Sequence, residues 1–427
     1  MTANPNIQDK TLAPDVQVKQ AGGYRWELLV LLWLAFFLNQ ADRQIFSVVL
    51  PLIKAELALS DADLGLIASA LVWTYGLLVP VAGFTGDRIS RKSIIGFSLL
   101  FWSFSTLATG LCSTLIQFLV LRGFATGGGE AFYAPSANAM LSERYAGNRS
   151  TALALHQTAV YAGIILSGLI AGYIGEHYGW RNAFFVFGAF GIVLAFVIFF
   201  RLSKDRPVVA EQGVSIAATA KVILRKPTFL LLTGAFACMV FVNVGYLTWM
   251  PSFLVEKFGL SLTDAGFSSM FYHHAGAFLG VLAGGKIADA TAKINRRNRL
   301  LVQCAGLLLG APFIYWMAAG HTLVVIYTAL FLFGVFRGVY DSNIFASLYE
   351  IAPHNMRSSS SGIMLMGAFL AGAFAPLILG ILKPTLGLEA SLAWLSASYV
   401  LGAALLGLAA YVFFGKDKAY EKSISLN

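Results

Sequence analysis

Charge is what this chain has least of. Asp, Glu, Lys and Arg make up 12% of its 427 residues, about half the share found in a soluble domain. A water-soluble surface cannot be built from so few charges, so an aqueous globular enzyme is excluded. Cysteine is scarce as well. Cys112, Cys238 and Cys304 each sit inside an apolar run, with no metal-ligand spacing and no pairing logic, and read as small core residues. The strict apolar/polar alternation of a transmembrane β-barrel is missing. There is no Ser/His/Asp constellation, no nucleotide-binding loop and no metal cluster, so neither catalysis nor a cofactor is expected. The opening residues lack an apolar h-region, so no cleaved signal peptide is expected.

What is abundant is hydrophobic residues, 58% of the chain, gathered into membrane-length runs from Trp26 to Phe414. The pattern predicts an all-α polytopic membrane protein with spans at 25–53, 63–85, 93–112, 115–141, 151–174, 182–202, 228–256, 264–288, 299–318, 323–350, 359–382 and 389–414. Bases are distributed unevenly. Of the 30 Lys and Arg residues, 23 fall in the two tails and the even-to-odd connections, as at Arg88, Arg91, Lys92, Arg296, Arg297 and Arg299. Four, Lys54, Arg181, Lys257 and Lys383, fall on the other side, and Arg43, Arg122 and Arg337 lie within spans. The positive-inside rule makes both termini cytoplasmic. It also explains the net charge of +9 without nucleic acid.

The longest interior connection, 203–227, is basic and divides the spans six and six. The expected organisation is a cytoplasmic tail 1–24, a six-helix bundle 25–202, a cytoplasmic linker 203–227 with room for a surface helix near Ile216–Leu224, a second bundle 228–414 and a tail 415–427. The halves repeat. Leu59-Ser60-Asp61-Ala62-Asp63-Leu64-Gly65 recurs as Leu260-Ser261-Leu262-Thr263-Asp264-Ala265-Gly266. Pro51 and Glu56 precede the first copy, Pro251 and Glu256 the second. Ser60 or Asp61, and Ser261 or Thr263, are candidate N-caps. Each following span ends in Gly-x-x-x-Asp, Gly83 to Asp87 and Gly285 to Asp289, before a basic cluster. A 6 + 6 repeat of this kind implies a transporter with its site between the halves near the midplane.

Asp42 and Arg43 stand side by side deep within the first span. An ionisable side chain at that depth costs at least ~3 kcal/mol and usually faces a cavity or a partner. On a helix Asn39, Asp42, Arg43 and Phe46 fall at i, i+3, i+4, i+7 and share one face. Either that face looks at a polar pathway or the charges fix helix packing.

The stretch Gly83-Phe-Thr-Gly-Asp87-Arg88-Ile-Ser-Arg91-Lys92 resembles the loop 2–3 motif of the major facilitator superfamily, Gly-x-x-x-Asp-Arg-x-Gly-Arg-Lys, with Ser90 in place of the second glycine. The resemblance implies that Gly83, Asp87, Arg88, Arg91 and, in the second half, Asp289 act in gating. Three further stretches narrow it: Asn39-Gln-Ala-Asp42-Arg43-Gln, Arg122-Gly-Phe-Ala-Thr-Gly-Gly-Gly-Glu130-Ala, and Gly179-Trp180-Arg181-Asn-Ala-Phe184. They look like the anion:cation symporter family, and also like Spinster-type lipid transporters. Tyr246-Leu-Thr-Trp249-Met-Pro251 favours the first. Resemblance to that family implies proton coupling at Asp42 and Glu130, and substrate or proton linkage at Arg43 and Arg122. That family separates the span 4 Arg and Glu by seven residues, whereas Arg122 and Glu130 are eight apart, which turns them about 80° out of phase. The Gly127-Gly128-Gly129 run could absorb the extra residue as a π-bulge.

Elsewhere, Arg337 and Asp341 are spaced i, i+4. They either pair on their own helix or give the second half an anion anchor. His273 and His274 are too far apart in angle to share a metal ion and are packing or proton-relay residues, with Asp341 as a further relay candidate. Tyr75, Gln157, Asn243 and Tyr246 are candidate cavity residues. The expected function is proton-driven symport of a small organic anion, such as a sugar acid or another carboxylate, by alternating access. Its partners would be that anion, protons and membrane lipid, and it would act as a monomer in a bacterial inner membrane. The alternative is Spinster-like transport of a lysolipid or another amphipathic lipid. A membrane sensor is a third class, which usually carries an appended soluble domain.

Overall fold

The computed structural model describes residues 22–86, 89–145, 148–203 and 216–417, and among these no strand occurs. Twelve spanning helices form two six-helix bundles. In the first, α1 is Gly22–Leu57, α2 Asp61–Gly86 and α3 Arg91–Thr109. Helix α4 runs through Leu115–Phe118, a π-helical Leu119–Thr126, Gly127–Ala131 and Tyr133–Arg144. Helix α5 is Arg149–Tyr178 and α6 Trp180–Arg201. In the second bundle α7 is Pro227–Phe258, α8 Leu262–Ala292, α9 Asn298–Ala319, and α10 joins Leu323–Asp341 to Ile344–Tyr349. Helix α11 starts with Arg357–Gly372 and continues from Phe374 to a break at Gly387, where φ is 76°. That left-handed angle suits glycine, and it is the turn into α12, which continues through Leu395–Leu408. A short helix, Ile216–Ile223, packs on the start of α11, as the linker composition suggested.

The repeat has a local cause in each half. Ser60 Oγ accepts from Asp63 N at 3.1 Å while Asp63 Oδ2 accepts from Ser60 N at 3.1 Å. Ser261 Oγ likewise accepts from Asp264 N at 3.0 Å. Two serines thus cap α2 and α8, satisfying amides that a helix start leaves unpaired. Thr263 does something else: its hydroxyl donates to Glu176 at 2.6 Å, from one bundle to the other.

The bundles meet along α2 with α11, α5 with α8, and α1 with α7. At the end remote from the basic connections their backbones touch. A Cβ added at Gly65 would overlap the Pro376 carbonyl, and Gly168 and Gly266 face each other with no room for a side chain on either. Small residues are what allow helices to approach so closely in a membrane. Polar contacts clasp the same end. Lys383 of α11 reaches Asp61 at 3.2 Å and Glu256 at 2.6 Å, and Lys54 holds Asp61 at 2.7 Å. The Gly179-Trp180-Arg181 turn belongs to this scaffold. Gly179 has φ 87°, Trp180 Nε1 donates to Glu56 at 2.7 Å, and Arg181 pairs with Glu56 and also donates to the Cys112 carbonyl.

Candidate substrate and coupling site

The predicted face of α1 exists, and it is turned toward α4. Asn39 Nδ2 donates to the Glu130 carbonyl at 3.4 Å, Asp42 pairs with Arg122, Arg43 pairs with Glu130, and the Phe46 ring packs on Phe118 with centroids 6.1 Å apart. The two sequence neighbours Asp42 and Arg43 therefore take partners on α4 in a crossed arrangement. Arg122 Nη1 lies 3.3 Å from Asp42 Oδ1 and its Nη2 donates to the Asp42 backbone carbonyl at 2.6 Å. Thr106 of α3 donates to the other Asp42 carboxylate oxygen. Arg43 Nε donates to Glu130 Oε2 at 2.6 Å, and its guanidinium lies 4.0 Å from the centre of the Tyr75 ring.

Exposure separates the two pairs. The Arg122 and Asp42 side chains are 2% and 5% exposed, whereas Arg43 is 18% exposed over a fully buried Glu130. Arg43 Nη2 and Glu130 Oε1 both lack a partner of hydrogen-bonding geometry. Taken together, the four groups carry two positive and two negative charges, so each buried charge is compensated.

Helix α4 brings both its charged residues onto α1 despite their eight-residue spacing. The wide turn at Leu119–Thr126 takes up the extra residue, with Thr126 Oγ1 donating to the Leu121 carbonyl at 2.9 Å. This differs from the expectation that the glycine run would absorb it. The glycines serve approach instead: a Cβ on Gly127 would lie 2.6 Å from the Leu71 carbonyl, and one on Gly129 2.9 Å from Trp102.

In the second bundle, Arg337 Nε lies 3.2 Å from Asp341 Oδ2, and Arg337 Nη1 lies 2.9 Å from His273 Nε2. A guanidinium can only donate, so His273 accepts through Nε2. His274 Nδ1 donates to the Met270 carbonyl at 2.7 Å. Tyr246 is fully buried, its hydroxyl donating to the Ser269 carbonyl at 3.0 Å and its ring against His273 and Phe333. Asn243 is half-buried with Oδ1 unpartnered, and Gln157 is exposed on α5. Tyr75 abuts Phe369 of the opposite bundle. Among the residues assigned to gating, Asp87 and Arg88 lie outside the described residues and Gly83 is in the last turn of α2. Arg91 reaches Glu143 at 2.5 Å, joining the start of α3 to the end of α4. Asp289 pairs with Arg299 at 2.8 Å between α8 and α9.

Thr106 was not among the sequence candidates. The available signal was a row of hydroxyls, Ser103, Ser105, Thr106 and Thr109, all buried in an otherwise apolar span. The Tyr133–His156 contact at 3.0 Å had no comparable signal.

The sequence pattern of the Major Facilitator Superfamily matches residues 32–376. The chain belongs to that superfamily. It is therefore a transporter of small molecules embedded in a membrane, and not an enzyme. Among the superfamily's members, a probable galactarate/D-glucarate transporter of Bacillus subtilis is 28% identical over 391 residues, covering 83% of this chain and 85% of that protein. A hexuronate transporter of the same organism is 25% identical over 380 residues, covering 84% and 88%. A solved bacterial homologue of the human lysosomal transporter Spinster, inward-facing and unoccupied, superposes with a TM-score of 0.77 at 21% identity, covering 94% of this chain and 98% of that one. It shares the fold.

Proposed function

We propose that this protein carries a small organic anion, a sugar acid or a related carboxylate, across a bacterial inner membrane together with protons. The observation that carries this reading is the pair Arg43–Glu130, 2.6 Å apart, with the Arg43 side chain 18% exposed and with a buried guanidinium nitrogen and a buried carboxylate oxygen that both lack a hydrogen-bond partner. A planar guanidinium takes a carboxylate through two parallel hydrogen bonds. An arriving substrate carboxylate competes with Glu130 for Arg43. The displaced Glu130, fully buried, is then better protonated than left as an uncompensated charge. Substrate binding and protonation favour each other, which is the reciprocal linkage a symporter needs.

This differs from linkage through Asp42, because the Asp42 carboxylate is engaged by Arg122 and Thr106 and not by Arg43. Asp42 is the second titratable carboxylate, released only when α1, α3 and α4 shift against one another. With the basic connections in the cytoplasm, both tails and the 203–227 linker are cytoplasmic, and bundles 25–202 and 228–414 close on the outer side. Rocking about the Gly65–Pro376 and Gly168–Gly266 contacts exchanges that closure for one at the 83–92 loop. The coupling ion is the proton, no cofactor is used, and one chain suffices.

Lipid transport would need an apolar cavity open to the bilayer; the Asp42-Arg43 and Arg122–Glu130 stretches resemble both families, and it is the Tyr246-Leu-Thr-Trp249-Met-Pro251 stretch and the sugar-acid transporters among the relatives that favour an anion. The test is uptake of labelled sugar acids by proteoliposomes with and without an inward proton gradient. Gradient-accelerated accumulation supports the proposal. Transport of lysolipid with indifference to sugar acids overturns it.

A further inference from the structure

We propose that Arg337 and Asp341 on α10 read hydroxyl groups of the substrate, and that the transporter therefore selects a polyhydroxylated monocarboxylate over the corresponding diacid. This rests on the reading of Arg43 as the carboxylate anchor.

The three mid-span arginines differ in what they can still bind. Arg122 is enclosed and spent on Asp42. Arg43 is 18% exposed, and its buried Nη2 has no hydrogen-bond partner. Arg337 and Asp341 are 15% and 24% exposed, so the second bundle also keeps a charged pair that is not fully enclosed. Tyr161 of α5, in the first bundle, meets the His274 ring of α8 with centroids 6.1 Å apart, next to His273, which accepts from Arg337. The site thus spans the two halves.

Arg337 is a poor second anion anchor. Asp341 lies 3.2 Å from its Nε and neutralises it, and Nη1 is occupied by His273 at 2.9 Å. What the pair offers is mixed: Arg337 Nε, a donor, and Asp341 Oδ1, an acceptor, are both buried without a hydrogen-bond partner. A hydroxyl suits both, because it donates and accepts. A carboxylate can only accept, so against Asp341 Oδ1 it leaves two like charges facing each other with no proton between them. Juxtaposed like charges are how binding sites reject a wrong partner. An alkyl chain would leave the same polar atoms unpaired. A monoanion also matches the charge count. One substrate carboxylate at Arg43 is balanced by one proton on Glu130, whereas a second would face a cation already neutralised.

The test compares three six-carbon ligands of purified protein by competition against a labelled sugar acid: D-galactonate with one carboxylate and five hydroxyls, galactarate with two carboxylates, and hexanoate with none of the hydroxyls. The expected result is at least tenfold tighter binding of galactonate than of either other ligand. Galactarate binding as tightly as galactonate, or more tightly, overturns the proposal and needs no variant. In Asp341→Asn the galactarate deficit should shrink about tenfold while hexanoate stays weak. Arg337→Lys, which keeps the charge, should retain the preference for one carboxylate. An unchanged galactarate deficit in a folded Asp341→Asn protein removes Asp341 from the selection. If neither sugar acid binds while lysolipid does, the anion-transport reading falls with it.

Discussion

Glu130→Gln isolates the coupling step. Glutamine keeps the shape of the side chain and an oxygen for Arg43 Nε, and it imitates the protonated acid permanently. In the wild type the Arg43–Glu130 hydrogen bond, at 2.6 Å, is charge-assisted. Such bonds contribute about 1.5–3 kcal/mol, against about 0.5–1.5 kcal/mol for neutral ones. Replacing one by the other relieves Arg43 of about 1–1.5 kcal/mol of competition. At neutral pH the variant should bind the substrate anion about five- to tenfold more tightly, since 1.4 kcal/mol is about tenfold. The sign with pH follows from linkage: binding that takes up a proton tightens as pH falls. Wild-type affinity should therefore rise toward acid pH, and that slope should flatten in Glu130→Gln. Counterflow exchange should persist while gradient-driven accumulation disappears. The fold should tolerate the change, because the contact from Asn39 is to the Glu130 backbone carbonyl. Weaker binding with an unchanged pH slope, or retained proton-driven accumulation, would refute the reasoning and pass the coupling role to Asp42.

Asp42→Asn strands Arg122, which is 2% exposed. Because Arg122 keeps the Asp42 backbone carbonyl, the cost should be about 3 kcal/mol, the low end for breaking a buried pair, and thermal unfolding of the purified protein reads it; unchanged stability would contradict the pairing. Arg43→Lys removes the planar fork and should weaken anion binding by a few tens of fold or more, measured by competition binding. Gly168→Val should prevent closure of the seam at Gly266 and shift the protein toward the opposite conformation, seen as faster labelling of a cysteine placed on the closed side. A cysteine replacing Arg296 should react only with reagents added from the cytoplasm, and one replacing Lys257 only from outside; the reverse would invert the topology.

Much of this molecule follows from the order of its residues. Apolar run lengths determine the spans, the Leu-Ser-x-x-Asp repeat announces the two caps, and the i, i+3, i+4, i+7 spacing puts Asn39, Asp42, Arg43 and Phe46 on one face. These properties are local: a helix face and a cap are fixed by neighbours within two turns. The partners on that face are not local. Adjacent residues on a helix point about 100° apart, so Asp42 and Arg43 could not satisfy each other and had to find Arg122 and Glu130 on α4. Which partner each finds depends on how α4 is rotated about its own axis, and that depends on the wide turn at Leu119–Thr126 and on how closely Gly127 and Gly129 let it approach α2 and α3. The same holds for Thr106, whose hydroxyl matters only because α3 packs behind Asp42, and for Tyr246, whose place inside its bundle is set by Ser269, His273 and Phe333. Sequence specified the charges and their depth; the packing of helices distant in the chain decided which charges meet, and which of them, Arg43, stays partly exposed.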